Sequence, residues 1–81
     1  MLNRKIFSER LKLLRMSRNL TMVELARTLG ISKQSIHQWE TMRTIPSADS
    51  LIELADALVC SLDYLAGRSD EPGYGTNTTP Y

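Results

Sequence analysis

The 81-residue sequence predicts an all-α domain of five helices followed by a short tail. Three observations carry that expectation. Apolar residues recur at spacings of three and four, the period of a helix buried on one face, rather than the alternation of a strand. Four of the periodic stretches open on a Ser or Thr able to cap a helix, and two of them close on a glycine. The chain has one cysteine and one histidine, so neither a disulfide framework nor a structural zinc site can stand in for a packed core. At this length the core is modest and needs close helix packing or self-association.

Taken in order, Met1 to Lys5 have no helical pattern and are expected to be loosely ordered. From about Ile6 to Ser17, Phe7, Leu11 and Leu14 repeat at four and three and form one apolar stripe. Arg10, Lys12, Arg15 and Arg18 make this helix basic, and Arg15 lies at the edge of the stripe, within reach of a buried carboxylate. Asn19 suits the turn that follows. Thr21-Met22-Val23-Glu24 is a capping box: a Thr able to accept from the backbone three residues on, and a Glu able to reach back. Leu20 and Leu25 are spaced for the accompanying hydrophobic staple. This second helix runs through Leu25, Ala26 and Leu29 and stops at Gly30, which suits a left-handed helix end.

Only Gly30, Ile31 and Ser32 separate it from the next helix, 33–41, which Ser32 caps. So short a connection imposes a tight turn, and the small Ala26 allows close crossing. At about 100° per residue, Lys33, Gln34, His37, Gln38 and Thr41 share an arc of roughly 140°, with Ile36 and Trp39 on the opposite side. One face can enter a core while the other offers donors, and Lys and Gln are residues that read base edges in the DNA major groove. Trp39, opposite the polar arc, is expected in the core rather than under a base.

Thr41 to Pro46 is a connection, extended at Ile45 ahead of the proline. Ser47 caps a fourth helix with Asp49 in its first turn and a stripe of Leu51, Leu54, Ala55 and Leu58. Ser61 caps a short fifth helix, Leu62 to Ala66, with Asp63 in its first turn, and Gly67 stops it. The helical domain therefore covers residues 1–67. Residues 68–81 contain Gly, Pro, Asn and Thr without periodicity and are expected to form a flexible tail.

The net charge of +1 conceals a division. Residues 1–43 hold nine Lys or Arg against three Glu, and residues 44–81 hold one Arg against six Asp or Glu. A basic half joined to an acidic half points to an anion-facing surface. No apolar run has membrane-spanning length and no signal-peptide core follows Met1, so a soluble cytoplasmic protein is expected. Cys60 is expected as a small buried residue of a reducing compartment. No paired carboxylates, phosphate loop, nucleophile with base or metal set is apparent, so catalysis, a metal and a cofactor are not expected.

The run from Phe7 to Gly67 resembles the Cro/repressor-type helix-turn-helix family, that of lambdoid phage repressors and many small bacterial regulators. The resemblance rests on Leu14-Arg15, Leu20-Thr21-x-x-Glu24-Leu25-Ala26, Leu29-Gly30-Ile31-Ser32, Ile36-x-x-Trp39-Glu40, Pro46-Ser47 and Leu58-x-x-Ser61-Leu62-Asp63-Tyr64-Leu65. It implies that the second and third helices form the motif and that the third is a recognition helix lying in the major groove. Lys33, Gln34 and Gln38 then match base-contacting positions, and His37 shares their arc and can touch a base or a phosphate. Helix N-termini are natural phosphate sites, so Thr21, Met22 and Ser32 are candidate phosphate contacts, and Arg43 in the following loop matches a basic phosphate-contacting position. Arg15 and Glu40 match an ion pair tying the first helix to the end of the third. The family very often has glutamine at Met22, so a phosphate contact there must use the backbone. It usually has glycine at Met42, so this chain has either a strained methionine or a differently shaped turn.

The expected function is that of a DNA-binding transcriptional regulator, a repressor acting as a homodimer on double-stranded DNA, with dimer contacts near Leu62 to Gly67. The alternative is an antitoxin or adaptor that uses the same helical domain, with 68–81 as a tail for a protein partner.

Overall fold

The computed structural model describes residues 2–72. Among them the chain forms α1 (Arg4–Ser17), α2 (Met22–Leu29), α3 (Lys33–Glu40), α4 (Ala48–Leu58) and α5 (Leu62–Ala66), and no strand. No helix among these residues is long and apolar enough to cross a membrane. The all-α, five-helix expectation is met, with one extension. The first helix begins at Arg4, inside the stretch expected to be loose, because Asn3 caps it: Asn3 Oδ1 accepts from the Ile6 amide at 3.1 Å. The Asn3 amide in turn donates to the Ala66 carbonyl at 2.9 Å, so the chain start is pinned to the end of α5.

Every helix start carries the same device. The side chains of Asn3, Thr21, Ser32, Ser47 and Ser61 each accept from the backbone amide three residues on, which satisfies one of the donors a helix start leaves open. At Thr21 the box closes both ways, since its amide donates to Glu24 Oε1 at 2.9 Å.

Every helix end also shares one device. Within two residues of each end stands a residue of positive φ: Asn19, Gly30, Met42, Val59 and Gly67. The next amide then donates five residues back: Leu20 to Arg15, Ile31 to Ala26, Arg43 to Gln38, Cys60 to Ala55 and Arg68 to Asp63, all at 2.8–3.0 Å. This is the Schellman closure. Gly67 is required twice over, since its φ is 85° and a Cβ there would lie 2.9 Å from that of Asn3.

Met42 (φ 65°) and Val59 (φ 55°) hold the left-handed position with side chains that disfavour it. The strain is roughly 1–2 kcal/mol per L-residue, partly offset by the ~0.4–1 kcal/mol of unfolded-state entropy that glycine adds. Both side chains are about half exposed. Met42→Gly and Val59→Gly are therefore each expected to stabilise the fold by about 0.5–1 kcal/mol, the β-branched Val59 at the upper end. Urea unfolding should show a raised midpoint at unchanged slope. A lowered midpoint would mean that these side chains contribute more packing than their exposure indicates.

The core lies where α1 meets α3 and α5, and where α2 and α5 meet α4. Phe7, Leu11, Leu25, Ile36, Leu54, Leu58 and Leu65 are the largest side chains fully removed from solvent. Cys60 joins them as a free thiol, and burial pushes its pKa up against the opposing pull of Arg18 and Arg10.

Past Gly67 the chain returns to α5. The Ser69 amide donates to the Asp63 carbonyl and the Ser61 amide to the Pro72 carbonyl. Arg10 holds this return, donating to the carbonyls of Tyr64 (2.6 Å) and Ser69 (2.7 Å) and to the Asp70 carboxylate (3.0 Å). Its guanidinium also lies 3.9 Å from the Tyr64 ring centroid, a cation–π distance. Residues 73–81 of the expected tail lie outside the described residues.

Candidate nucleic-acid interface

α2 and α3 pack against each other across the three-residue turn Gly30-Ile31-Ser32. Gly30 has φ 70° and open space where a Cβ would stand, so its backbone angle rather than crowding calls for glycine. The Ile31 amide closes on the Ala26 carbonyl, and Ser32 starts α3 immediately afterwards. Ala26 is buried at this crossing.

α3 has two unlike sides. Ile36 is fully buried and Trp39 nearly so, which places the indole in the core. Lys33, Gln34 and His37 are exposed, and Gln38 is half-buried. Thr41 is exposed, but its hydroxyl turns back to the helix and donates to the His37 carbonyl at 2.8 Å and the Gln38 carbonyl at 3.3 Å. The outward donors of this helix are therefore those of Lys33, Gln34, His37 and Gln38.

The far end of α3 is tied to α1. Arg15 Nε donates to Glu40 Oε2 at 2.7 Å and Nη2 to Oε1 at 3.2 Å, a two-point pair. A third bond runs from Nη1 to the Leu20 carbonyl at 2.8 Å. The two side chains are 11% and 2% exposed. One guanidinium thus fixes α3, α1 and the turn leading into α2. With Arg15 and Arg10 engaged internally, less of the basic half is free than the count of charges indicates.

The candidate phosphate contacts are placed differently from one another. Thr21 is exposed, and its oxygen and amide are both engaged in the capping box. The amides of Met22 and Val23, at the start of α2, have no acceptor among the described residues. The Met22 side chain is half-buried and packs on the core, so only its backbone faces an anion. Ser32 is exposed; its oxygen accepts from the Ser35 amide and lies 3.2 Å from the Ser35 hydroxyl. Arg43 is exposed and has no carboxylate within ion-pair distance among the described residues. Its amide donates to the Gln38 carbonyl at 2.9 Å, because Met42 adopts the left-handed turn that glycine usually supplies.

Thr44 is a further residue at this site. Its hydroxyl lies 3.5 Å from Gln38 Oε1, and its amide 3.5 Å from the Gln38 carbonyl. No local pattern marks it, since the contact depends on the turn at Met42.

Comparison with known proteins agrees with this geometry. A family model described as helix-turn-helix matches residues 11–65. An uncharacterised HTH-type transcriptional regulator of Bacillus subtilis, YobD, is 37% identical over 67 residues, covering 83% of this chain and 60% of that protein. Repressor protein C2 of Salmonella phage P22 is 34% identical over 64 residues, 79% of this chain and 30% of the repressor. The crystal structure of the P22 c2 repressor with a synthetic operator superposes with a TM-score of 0.75 at 33% identity, over 79% of this chain and 97% of that one. The chain thus spans at most three fifths of the length of these two curated relatives.

Proposed function

The chain belongs to the helix-turn-helix family, and from that premise we propose that it is a sequence-specific DNA-binding transcriptional repressor of the Cro/repressor type. In this reading α3 is the recognition helix. Lys33, Gln34, His37 and Gln38 meet base edges, while Thr21, Met22, Ser32 and Arg43 meet phosphates. Lys33 donates to guanine O6 and N7, and Gln34 pairs with adenine. At Met22 the contact is through the backbone amide at the positive end of α2. The protein works in the cytoplasm as a homodimer on half-sites about one turn, roughly 34 Å, apart.

The observation that carries the reading is the two-sided α3. Its outer face presents Lys33, Gln34 and His37, its inner face is sealed by Ile36 and Trp39, and Glu40 anchors its end. That helix sits in a fold matching a repressor solved with operator DNA at 33% identity. The curated relatives are named as a transcriptional regulator and as repressors, which favours this reading over an antitoxin or adaptor.

The test is a gel-shift series on duplexes enriched from random DNA. Lys33→Ala with Gln34→Ala is expected to lower the preference for the enriched site over random duplex by ten-fold or more, since each good base pairing is worth about 1–3 kcal/mol. Circular dichroism should be unchanged. Full selectivity in the double variant would remove α3 from the reading. Failure to shift any duplex, together with capture of a protein partner that persists at high salt and does not depend on DNA, would argue for the adaptor reading instead, because phosphate-driven affinity falls steeply with salt.

A further inference from the structure

Gln38 differs from Lys33, Gln34 and His37, its neighbours on the outer arc of α3, in being held from behind. Lys33, Gln34 and His37 are exposed, whereas Gln38 is half-buried and sits at a junction. Its main-chain carbonyl receives the Arg43 amide at 2.9 Å, the Thr41 hydroxyl at 3.3 Å and the Thr44 amide at 3.5 Å. Its side-chain oxygen receives the Thr44 hydroxyl at 3.5 Å. Thr44 thus reaches both ends of one residue, and it does so because the left-handed turn at Met42 folds the loop back over α3. The Gln38 amide nitrogen has no acceptor among the described residues.

We propose that Thr44 is a positioning residue for base recognition: its hydroxyl holds the Gln38 carbonyl oxygen and leaves the amide N–H donors to meet an acceptor on a base edge. This rests on the DNA-binding reading above. A free glutamine loses rotamer entropy when it is ordered, and a side chain already ordered in the free protein loses less on binding. The acceptors that a major-groove edge offers such a donor are guanine N7 and O6, adenine N7 and thymine O4. The threonine hydroxyl orients the carboxamide without touching DNA itself. The 3.5 Å separation is longer than the roughly 2.5–3.0 Å of a well-formed O–H···O bond, so the contact orients the carboxamide more than it binds it.

The experiment is selection of bound sequences from random duplex DNA with the full chain, run in parallel for the wild type, Gln38→Ala, Thr44→Val and Thr44→Ser. Thermal melts of each variant establish that it is folded. Gln38→Ala is expected to erase the preference at one position of the enriched site, which identifies the base it reads. Thr44→Val should reduce the preference at that same position about two-fold, the low end of what one hydrogen bond contributes, and leave the other positions unchanged. Thr44→Ser, which keeps the hydroxyl, should restore it. The proposal is overturned if Thr44→Val leaves that position unchanged, or weakens every position alike, as a loop with a purely structural role would. It is also overturned if Gln38→Ala erases no position while the wild type still enriches a site; the DNA-binding reading survives that result. A wild type that enriches no sequence overturns both.

Discussion

Replacing Glu40 by alanine is expected to cost about 3–5 kcal/mol, the penalty for breaking a buried ion pair from one side. The Glu40 side chain is 2% exposed and accepts two bonds from the guanidinium of Arg15, whose side chain is 11% exposed. Its removal leaves Arg15 with only the Leu20 carbonyl, a mostly buried charge without a counter-charge. Glu40 also stands at the last position of α3, where the helix dipole disfavours a carboxylate, so its place there depends on Arg15. A chain of this size is stable by roughly 4–12 kcal/mol, and each kcal/mol moves the melting point of a small domain by about 4–8 °C. Glu40→Ala should therefore melt more than about 12 °C lower. The pair need not be a net gain over apolar packing. The double replacement Arg15→Met with Glu40→Leu is expected to recover most of the loss, because neither charge is then stranded. A single-variant loss under about 1 kcal/mol, the range of exposed pairs, would place Glu40 in water.

The second large effect is expected at Trp39. It is 7% exposed and, with the fully buried Ile36, forms the inner face of α3. Trp39→Ala should destabilise by about 3–5 kcal/mol, the sum of lost burial and the cavity left behind. Because the core is small, little neighbouring material can collapse into that space. Trp39→Phe should cost less, since it keeps most of the apolar volume. Urea unfolding followed by circular dichroism measures both, as Trp39 is the only tryptophan and its fluorescence is lost with it. Equal stability of Trp39→Ala and wild type would mean that the indole lies on the surface, and with it the inner side assigned to α3.

These two residues illustrate what can be read ahead of a structure. Trp39 is assigned to the core by spacing alone, since Ile36 and Trp39 fall opposite Lys33, Gln34 and Gln38 on any helix. The four caps Thr21, Ser32, Ser47 and Ser61 are equally legible, because a cap joins atoms only three residues apart. Asn3 uses the same chemistry but lacks a helical pattern after it to mark it as a cap. The apolar stripe begins only at Phe7 and so does not mark the start of α1 at Arg4, and part of what holds that start is the Ala66 carbonyl, far along the chain. In the sequence Arg10 is one more charge on a basic helix. It is a clamp on Tyr64, Ser69 and Asp70, residues 54 to 60 positions away. Met42 lay between the two: the resemblance raised a positive φ at this position, and only the folded turn shows that methionine adopts it.

By itself, then, the sequence determined the number of helices, where four of them begin, which face of each is apolar and which side of α3 is left to carry Lys33, Gln34, His37 and Gln38. All of these follow from bonds and periodicities within a few residues, where the chain has little freedom to do otherwise. The tertiary structure alone decided that Arg10 and Arg15 are spent internally, that Val59 ends α4 in a left-handed turn, and that Thr44 stands behind Gln38. The physical reason is that such choices set a local cost, a strained φ or a desolvated charge, against gains made with partners elsewhere in the chain. For Ser32 to Glu40 the division is plain: local chemistry makes the helix, and Arg15, the buried core and the loop over Gln38 hold it in place.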